Sequence, residues 1–491
     1  MNPEESLYNI SIFDGRQSRL TAPLRDYFSE AALYKYRVRV ELKWLKYLLM
    51  ETDFRTHVEN LAKKEICLPN LSKEDADKLD EVEAEFSPVD AYVYEHVGKN
   101  GKKPTDHDVK AMELAIVDIL KSKGLDRLSE YVHFGLTSED VGNVAYNLML
   151  REAIENVWLP QAIGLARQLS ALSKQYAKTT VLGKTHGISA SPTTAGKQYA
   201  VILSDLVDHI KAVRDIRLSS KFGGPVGNHN TFKLILPKFD IRKYSEKFIN
   251  SFDLDYVEAA NQTTLHSSVI ALFNRIEQYN LTLYNLSNQI RDGVLLDRLS
   301  IKNDAVGSSV MAHKPPNPWR PEAVESFVIR YVNQLSAAKL ALKGQMLENS
   351  IGYHSAERSY GELMAISLIC INHLSKQLAS VSINEKNCDK ELENHYEVFS
   401  EALNMAMRLY GREDAYFDVM KRTQGKYLTR EQYFDLVRQL KLPLETEKIL
   451  TSDLKDFIGD ADVIALNAAQ KAEQAIDEIK SKYKTGKTHN D

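Results

Sequence analysis

The chain has 491 residues, with 63 lysines and arginines against 67 aspartates and glutamates, and a formal net charge of −4 at pH 7. This near-neutral balance gives no electrostatic signature of a nucleic-acid or anionic-membrane protein, and no apolar run reaches the roughly 18–20 residues of a membrane span. Three cysteines (Cys67, Cys370 and Cys388) are too few and too scattered for a disulfide framework or a zinc site. The acidic N-terminus is not that of a secretory signal, so we expect a soluble cytoplasmic protein.

Only 14 prolines and 22 glycines interrupt the sequence, which favours helices. In chain order, apolar periodicity predicts helices over 32–51, 72–85, from about 106, and over 139–177, 191–220, 266–297, 322–349 and 358–383. Ser72 is the expected N-cap of the second helix, and residues 232–237 (FKLILP) are the best strand candidate. Shorter helices follow to the end. The predicted fold class is all-α, with a bundle of long helices.

Four polar islands lie between these helices, at residues 105–110, 133–140, 183–192 and 306–318. In the first, either Thr105 caps a helix with Asp108 reaching back to it, or His107 and the backbone N–H groups of the first turn bind an anion. In the second, Thr137 or Ser138 caps the next helix, and the same hydroxyls suit a carboxylate or phosphate.

The third and fourth islands carry the candidates for proton transfer. His186 stands beside a glycine in a short polar loop between two long helices, which is either an acid–base position or a surface histidine. The fourth island, VGSSVMAHKPPNP, is either a mobile linker or a functional lid. There is neither a P-loop nor a dinucleotide fingerprint, and no metal-ligand spacing, so we expect neither a cofactor nor a metal ion.

The islands, taken in order, resemble the fumarase/aspartase superfamily and, within it, the adenylosuccinate lyase family of the bacterial type with a longer N-terminal segment. The resemblance runs nearly from end to end. It rests on the motifs FDGR (13–16), LRxxFSE (24–30), YRVxVExxWL (36–45), HDVKA (107–111), HFxxTSED (133–140), THG (185–187), GNxN (227–230), GSSxMxHK (307–314) and YGR (410–412).

The resemblance implies a mostly helical, three-domain fold whose long helices form the twenty-helix core of a homotetramer. We place the domains at residues 1–126, 127–377 and 378–491, with a signature loop at about 300–321. The implied reaction is a β-elimination that cleaves the C–N bond of an N-succinyl substrate and releases fumarate. The family's substrates are adenylosuccinate and the succinylated aminoimidazole carboxamide ribotide of purine biosynthesis. Active sites shared between subunits are implied as well, and the partner is a small molecule rather than a nucleic acid or a membrane.

The resemblance also implies roles for residues. Ser308 is the expected base, His186 the expected acid, and His107 supports His186 and holds the substrate. The substrate-binding residues expected in addition are Arg16, Lys110, Thr137, Ser138, Thr185, Gln262, Ser309, Met311, Lys314, Asn317, Ser355 and Arg358. Preorganised donors suit this reaction because negative charge builds up next to a carboxylate when the proton is removed.

The chain departs from the family pattern at several positions. Pro315 and Pro316 move Asn317 one residue further from Lys314, and an arginine of the phosphate-binding stretch has no counterpart near 349–358. These departures leave two alternatives to an adenylosuccinate lyase. One is the same elimination on a different N-succinyl amine, and the other is an inactive helical scaffold that binds a metabolite or a protein.

Overall fold

The computed structural model describes residues 8–61, 68–302, 317–344, 347–349 and 351–486, without the side chains of residues 52, 53, 61 and 482–486. In these ranges the chain is mainly α-helical, which confirms the predicted all-α class. The strands of the described part are short and form three two-stranded sheets. None of its helices combines the length and the apolar character that a membrane span needs.

The helices follow one another along the chain as α1 (Ser18–Thr21), α2 (Arg25–Phe28), α3 (Glu30–Met50), α4 (Thr52–Leu61), α5 (Lys73–Glu85), α6 (Pro88–His96), α7 (Asp108–Ser122), α8 (Ser138–Ala153), α9 (Leu159–Gln175), α10 (Ala195–Arg214), α11 (Asn230–Ile235), α12 (Ile241–Asn250), α13 (Ser267–Leu295), α14 (Trp319–Lys343), α15 (His354–Arg358), α16 (Tyr360–Ser380), α17 (Glu385–Glu393), α18 (Ser400–Leu409), α19 (Ala415–Thr423), α20 (Arg430–Gln439), α21 (Leu444–Leu450) and α22 (Ala461–Gly486). The strands are β1 (Thr180–Thr185), β2 (Ile188–Thr194), β3 (Ser219–Ser220), β4 (Asp255–Tyr256), β5 (Leu299–Ile301) and β6 (Val381–Ile383). β1 pairs with β2 and β5 with β6 in antiparallel fashion, whereas β3 and β4 are parallel.

The described residues fall into two compact units. The first lies within residues 1–160, 212–277 and 329–369, and the second lies within residues 161–211, 278–328 and 370–491. The three-domain division at residues 126 and 377 stays a prediction.

Each unit has an apolar core that fixes the helices carrying the polar islands. In the first unit, apolar side chains of α3, α5, α6 and α7 are buried together, including Leu42, Val82 and Ile116. In the second, Leu182 of β1 is buried with side chains of the C-terminal helices, among them Phe399 and Tyr433. Burial of this apolar area anchors the first island, at the start of α7, and the third island, on β1 and β2, to rigid elements.

The strand predicted at residues 232–237 is wrong, because this segment forms α11 and its C-terminal end. Phe232 and Leu236 are buried, whereas Leu234 is 79% exposed. The buried pair has the i, i+4 spacing of one helix face. A short apolar run alone does not distinguish the two periodicities.

The capping box predicted at Thr105 and Asp108 is also wrong. Helix α7 begins at Asp108, and His107 is its N-cap, with its Nδ1 accepting the N–H of Lys110 at 3.2 Å. The N-cap predicted at Ser72 is confirmed, because its hydroxyl accepts the N–H of Asp75 at 3.1 Å.

The helix predicted over 139–177 is confirmed and contains one irregular turn. Between α8 and α9, residues Ile154–Trp158 form a π-helical turn. Pro160 follows at the second position of α9. Proline lacks the N–H of an i→i−4 bond and its ring clashes with the carbonyl four residues earlier, so a wider turn relieves the strain there.

Candidate active site

The second polar island is fixed by a fully buried carboxylate at the start of α8. Thr137 is the N-cap residue, and its N–H donates to Asp140 Oδ2 at 3.0 Å. Lys221 Nζ donates to Asp140 Oδ1 at 2.7 Å, and the N–H groups of Gly223 and Gly224 donate to the same carboxylate at 2.9 and 3.0 Å. Both charged side chains are 1% exposed. This pairing compensates for the burial of the charges and holds the glycine-rich loop on the helix start.

Two predicted substrate-binding residues, Thr137 and Gln262, lie in direct contact. Gln262 Nε2 donates to the Thr137 hydroxyl at 3.0 Å, and the Gln262 amide oxygen accepts from Asn349 Nδ2. The Gln262 N–H donates to the carbonyl of Glu348 at 3.2 Å. Asn349 lies in the stretch where the family resemblance implies an arginine. In this structure it is a hydrogen-bond partner of the Gln262 amide.

His107 and Lys110 lie together at the start of α7. His107 is half exposed, and because its Nδ1 accepts from the helix, Nε2 is the nitrogen that can face a substrate. Lys110 Nζ lies 2.7 Å from Glu113 Oε2. Glu113 Oε1 in turn lies 3.9 Å from Nε2 of His133, so the first and second islands adjoin through one carboxylate.

His133, which opens the HFxxTSED motif, was not among the predicted site residues but lies next to them through Glu113. Its Nδ1 lies 2.5 Å from Glu41 Oε1, and Glu41 is buried. Burial would lower the pKa of His133, but the charge and the hydrogen bond of Glu41 outweigh it and raise the pKa above its usual value. The backbone of His133 is in the left-handed region, with φ at 59°. A fixed histidine with a raised pKa, four residues before the Thr137 cap, is suited to holding an anion when it is protonated.

Arg358 is placed by carboxylates of the first unit. Its Nη2 lies 3.1 Å from Asp108 Oδ2 and its Nε lies 3.2 Å from Glu30 Oε1. Arg37 Nη1 lies 2.6 Å from the same Asp108 oxygen. Burial alone would raise the pKa of Asp108. The opposing effects, chiefly the charge and hydrogen bond of Arg37, are larger together and lower the pKa to about 2. Ser355 is exposed on the same short helix α15.

Glu357, which directly precedes Arg358 in the sequence, also carries a buried carboxyl group. Glu357 is 4% exposed, and burial, with the negative charge of Glu139, raises its pKa well above the usual range. His266 Nδ1 lies 3.9 Å from Glu357, and His354 Nε2 lies 3.5 Å from Glu139. Burial lowers the pKa of His266 to about 4, so this histidine is neutral near pH 7. No local pattern pointed to this cluster.

His186 lies at the tip of a β-hairpin in the second unit. Residues 191–194, predicted to begin a helix, belong to β2 instead. Thr185 pairs with Ile188, and the two residues between them, His186 and Gly187, have φ of 54° and 77°. Positive φ at both central positions defines a type I′ turn, which matches the twist of the strands. Thr185 and His186 are both exposed at this tip.

The remaining predicted residues have different positions. Arg16 is exposed just before α1, Ser138 is the first residue of α8, and Asn317 is exposed two residues before α14. Ser308, Ser309, Met311 and Lys314 lie outside the described residues. In the ranges that the structure covers, no three histidine, cysteine or carboxylate side chains form a metal-binding group.

Two family models match the sequence. The family described as lyase matches residues 15–333, and the family described as adenylosuccinate lyase C-terminal matches residues 352–458. Together they span both units and most of the chain.

Curated relatives match over nearly the whole length. The adenylosuccinate lyase of Buchnera aphidicola subsp. Acyrthosiphon pisum is 30% identical over 463 residues, which cover 94% of this chain and 98% of that protein. The adenylosuccinate lyase of Escherichia coli K12 is 29% identical over 462 residues, which cover 93% and 97%.

Solved structures show the same fold at lower sequence identity. A fumarate lyase from Mesorhizobium sp. BNC1 has a TM-score of 0.71 at 17% identity and covers 91% of this chain and 97% of that chain. A 3-carboxy-cis,cis-muconate lactonizing enzyme from Pseudomonas putida has a TM-score of 0.70 at 19% identity, with coverage of 92% and 97%. At these identities the likeness establishes the fold alone.

Proposed function

Because the chain belongs to the adenylosuccinate lyase family, we propose that it splits adenylosuccinate into AMP and fumarate by breaking a C–N bond. It is a fumarate-releasing carbon–nitrogen lyase of the fumarase/aspartase superfamily. A second substrate of the same chemistry is the succinylated aminoimidazole carboxamide ribotide, which places the enzyme in purine biosynthesis.

The match of residues 352–458 to the adenylosuccinate lyase C-terminal family carries this proposal. The family that matches residues 15–333 is described only as lyase, whereas the description of the C-terminal family names adenylosuccinate lyase. Relatives at 28–30% identity that cover at least nine-tenths of the chain agree with it. They favour adenylosuccinate over the two alternatives raised from the sequence.

The first chemical step removes a proton from the CH₂ carbon of the succinyl group. We assign Ser308 as the base, and a serine needs an activating environment for this task, which closure of the loop around it would supply. The carbanion that forms is stabilised by its neighbouring carboxylate, whose oxygens gain negative charge. Donors from Thr137, Ser138, Lys314 and Asn317 are suited to that charge, with the backbone N–H groups of the Gly-Ser-Ser turn.

The second step expels the amine. The electron pair left by the proton forms the double bond of fumarate, the C–N bond breaks, and His186 donates a proton to the departing nitrogen. His107, with Nε2 facing outward, holds the substrate and supports His186. The net change is one substrate converted to fumarate and an amine, with no oxidant or reductant.

The phosphate of adenylosuccinate, at the end of the substrate away from the succinyl group, requires a site that binds an anion. We assign Arg16, Lys110, Ser355 and Arg358 to this role, and we assign Thr185, Gln262, Ser309 and Met311 to the surroundings of the succinyl group, where Gln262 contacts Thr137. Arg358 shares its charge with Asp108 and Glu30, so a phosphate would compete with two carboxylates for it. We further propose a cytoplasmic homotetramer in which neighbouring subunits complete each active site.

The test measures fumarate released from adenylosuccinate by the purified protein and by two variants. We expect Ser308→Ala and His186→Ala each to lower kcat by at least about a hundredfold, since each removes a proton-transfer group. The matched controls are Ser122→Ala, at the exposed end of α7, and His96→Ala, whose ring packs on Tyr92. The controls should keep wild-type rates.

Full activity in either variant would remove that residue from its role. If the wild-type protein releases nothing from adenylosuccinate, a panel of other N-succinyl amines follows. Release from one of them would identify a different amine, and no release from any would favour the inactive scaffold.

A further inference from the structure

A half-exposed histidine of the first unit lies beside residues assigned to the substrate. His354 begins α15, and 39% of its side chain is exposed. Its Nε2 lies 3.5 Å from Oε1 of Glu139, whose side chain is only 8% exposed. The ring packs edge-on against that of Tyr353, with the ring centroids 4.7 Å apart. Because Nε2 faces the buried carboxylate, Nδ1 is the ring nitrogen that can face a ligand.

The same short helix carries Arg358, which is assigned to the phosphate. His354 and Arg358 are four residues apart, at the two ends of α15, and residues with this spacing are neighbours on one face of a helix. Arg358 Nη2 lies 3.1 Å from Asp108 Oδ2, and its Nε lies 3.2 Å from Glu30 Oε1. An anion bound by Arg358 therefore competes with two carboxylates, and the neighbouring side chain on the same helix face is a histidine.

The carboxylate partner of His354 belongs to the end of α8 that carries two predicted substrate-binding residues. Glu139 is the second residue of α8, directly after Ser138 and two residues after the N-cap Thr137. His354 is therefore paired with a residue whose chain neighbours are assigned to the succinyl group, while Arg358 on its own helix is assigned to the phosphate. All of these residues lie in the first unit.

Both ring nitrogens of His354 are needed if the histidine is to bind an anion while Nε2 faces Glu139. An imidazole donates from both nitrogens only when it is protonated. An imidazolium between a buried carboxylate and a phosphate makes a charge-assisted hydrogen bond to each, and such bonds are roughly twice as strong as those between neutral groups. The Glu139 carboxylate therefore orients the ring and supports the positive charge that a phosphate requires.

We propose that His354 is a further substrate-binding residue, whose Nδ1 donates a hydrogen bond to the phosphate of the nucleotide beside Arg358. The proposal rests on the proposed function, which makes a nucleotide the substrate. The imidazolium adds a second positive charge for an anion whose arginine is shared with Asp108 and Glu30. The phosphate takes no part in the elimination, so this contact is equally strong in the ground state and the transition state. Its loss therefore raises KM and leaves kcat nearly unchanged.

The test compares His354→Phe, which keeps a ring against Tyr353 and removes both nitrogens, with His96→Phe. His96 is a matched control in the same unit, because it is 45% exposed and its Nε2 lies 3.8 Å from the carboxylate of Glu95. We expect His354→Phe to raise KM for adenylosuccinate at least about tenfold with kcat changed less than about threefold. His354→Asn, whose amide can donate from the position of Nδ1 without the charge, should raise KM less. Equal increases in KM in the two His354 variants would contradict the assignment of Nδ1 as the donor.

Isothermal titration calorimetry supplies a readout that does not depend on turnover. The probes are AMP, which carries the phosphate, and adenosine, which lacks it. His354→Phe should weaken AMP binding at least about tenfold and adenosine binding less than about twofold, whereas His96→Phe should change neither.

Three results would overturn the proposal. These are an unchanged affinity of His354→Phe for AMP, an equal weakening of both probes, which would indicate a structural role, and a wild-type protein that does not bind AMP. If the wild-type protein binds AMP but releases no fumarate from adenylosuccinate, the proposed function fails, and the comparison of AMP with adenosine alone decides the role of His354.

Discussion

Glu357 is a carboxyl group whose environment opposes its charge. It is buried with Glu139 nearby, and only Arg37 and Arg358 act in the opposite direction. Its neighbour His266 is held neutral by burial. Folding therefore favours the protonated form of Glu357 more than the unfolded chain does, and its ionisation is linked to folding.

This linkage gives a sign for the dependence of stability on pH. Between the ordinary pKa of 4.5 and the raised pKa of the folded state, the unfolded chain ionises Glu357 while the folded chain keeps its proton. Folding then takes up a proton, so the contribution to stability falls as pH rises from 4.5 towards the raised pKa. Each pH unit of this window is worth up to about 1.4 kcal/mol.

Glu357→Gln should remove this dependence. We expect the variant to be more stable than the wild type by at least about 1 kcal/mol at pH 8 and nearly equal to it at pH 4. Urea unfolding at pH 4, 5, 6, 7 and 8 measures the difference, with the exposed Glu413→Gln as the control. Parallel stability curves for the wild type and Glu357→Gln would contradict the expectation.

Some contacts between individual residues could be predicted from the sequence and others could not. Thr137 and Gln262 were predicted from the family resemblance, and the structure brings them into contact. The cluster around Glu357 joins positions more than 80 residues apart in the chain, so no local pattern marks it. His107 rather than Thr105 is the N-cap because α7 begins at Asp108, whereas Thr105 lies three residues before that start.

The β1–β2 hairpin is the element on which the proton-transfer proposal depends, and two of its glycines have different reasons to be there. At Gly187 the backbone has φ of 77°, and an added Cβ would meet nothing within 4 Å. At Gly183 an added Cβ would lie 2.3 Å from the carbonyl oxygen of Ser191, across the hairpin. At Gly187 the left-handed backbone disfavours any residue with a side chain, whereas at Gly183 there is no room for a side chain.

Alanine at each position should therefore have different effects. We expect Gly187→Ala to lower the free energy of unfolding by about 1 kcal/mol, the strain of a left-handed backbone. Gly183→Ala should lower it at least about twice as much and should also reduce kcat, because β1 and β2 must separate. Equal losses of stability in the two variants would show that the close approach at Gly183 does not hold in solution.

On the scale of whole helices, periodicity predicted best where an element is long. The helices over 266–297 and 358–383 agree with α13 and α16 within a few residues. The hairpin was missed because its polar, serine-rich sequence has no alternating apolar pattern. The segment at 232–237 was misassigned because its apolar run is too short to show a period.

On the scale of the molecule, family resemblance supplied what periodicity could not, namely that the long helices belong to a fumarase-like fold. Homotetramer formation remains a proposal, and apolar residues on the long helices agree with it. Leu340 on α14 is 78% exposed, and Leu281 on α13 is 41% exposed. Exposed leucines on long helices are typical of surfaces that a second subunit covers.

Sedimentation equilibrium tests the assembly. We expect a mass about four times the 55.7 kDa of one chain. Leu340→Glu should shift the population to smaller species, because a buried unpaired charge opposes association. Leu444→Glu, at an exposed position of a C-terminal helix, should not. A monomeric wild type would contradict both the tetramer and the shared active site.

The π-helical turn at Ile154–Trp158 has a consequence for how this chain can change in length. A π turn holds one residue more than an α turn, so it takes up that extra residue without rotating α9 about its axis. A deletion inside the turn, together with replacement of Pro160, would restore an α turn and leave every later side chain on its present face. The same deletion within the regular turns of α8 or α9 would rotate those side chains by about 100°. The turn is therefore a place where this chain could lose one residue without repacking the helix.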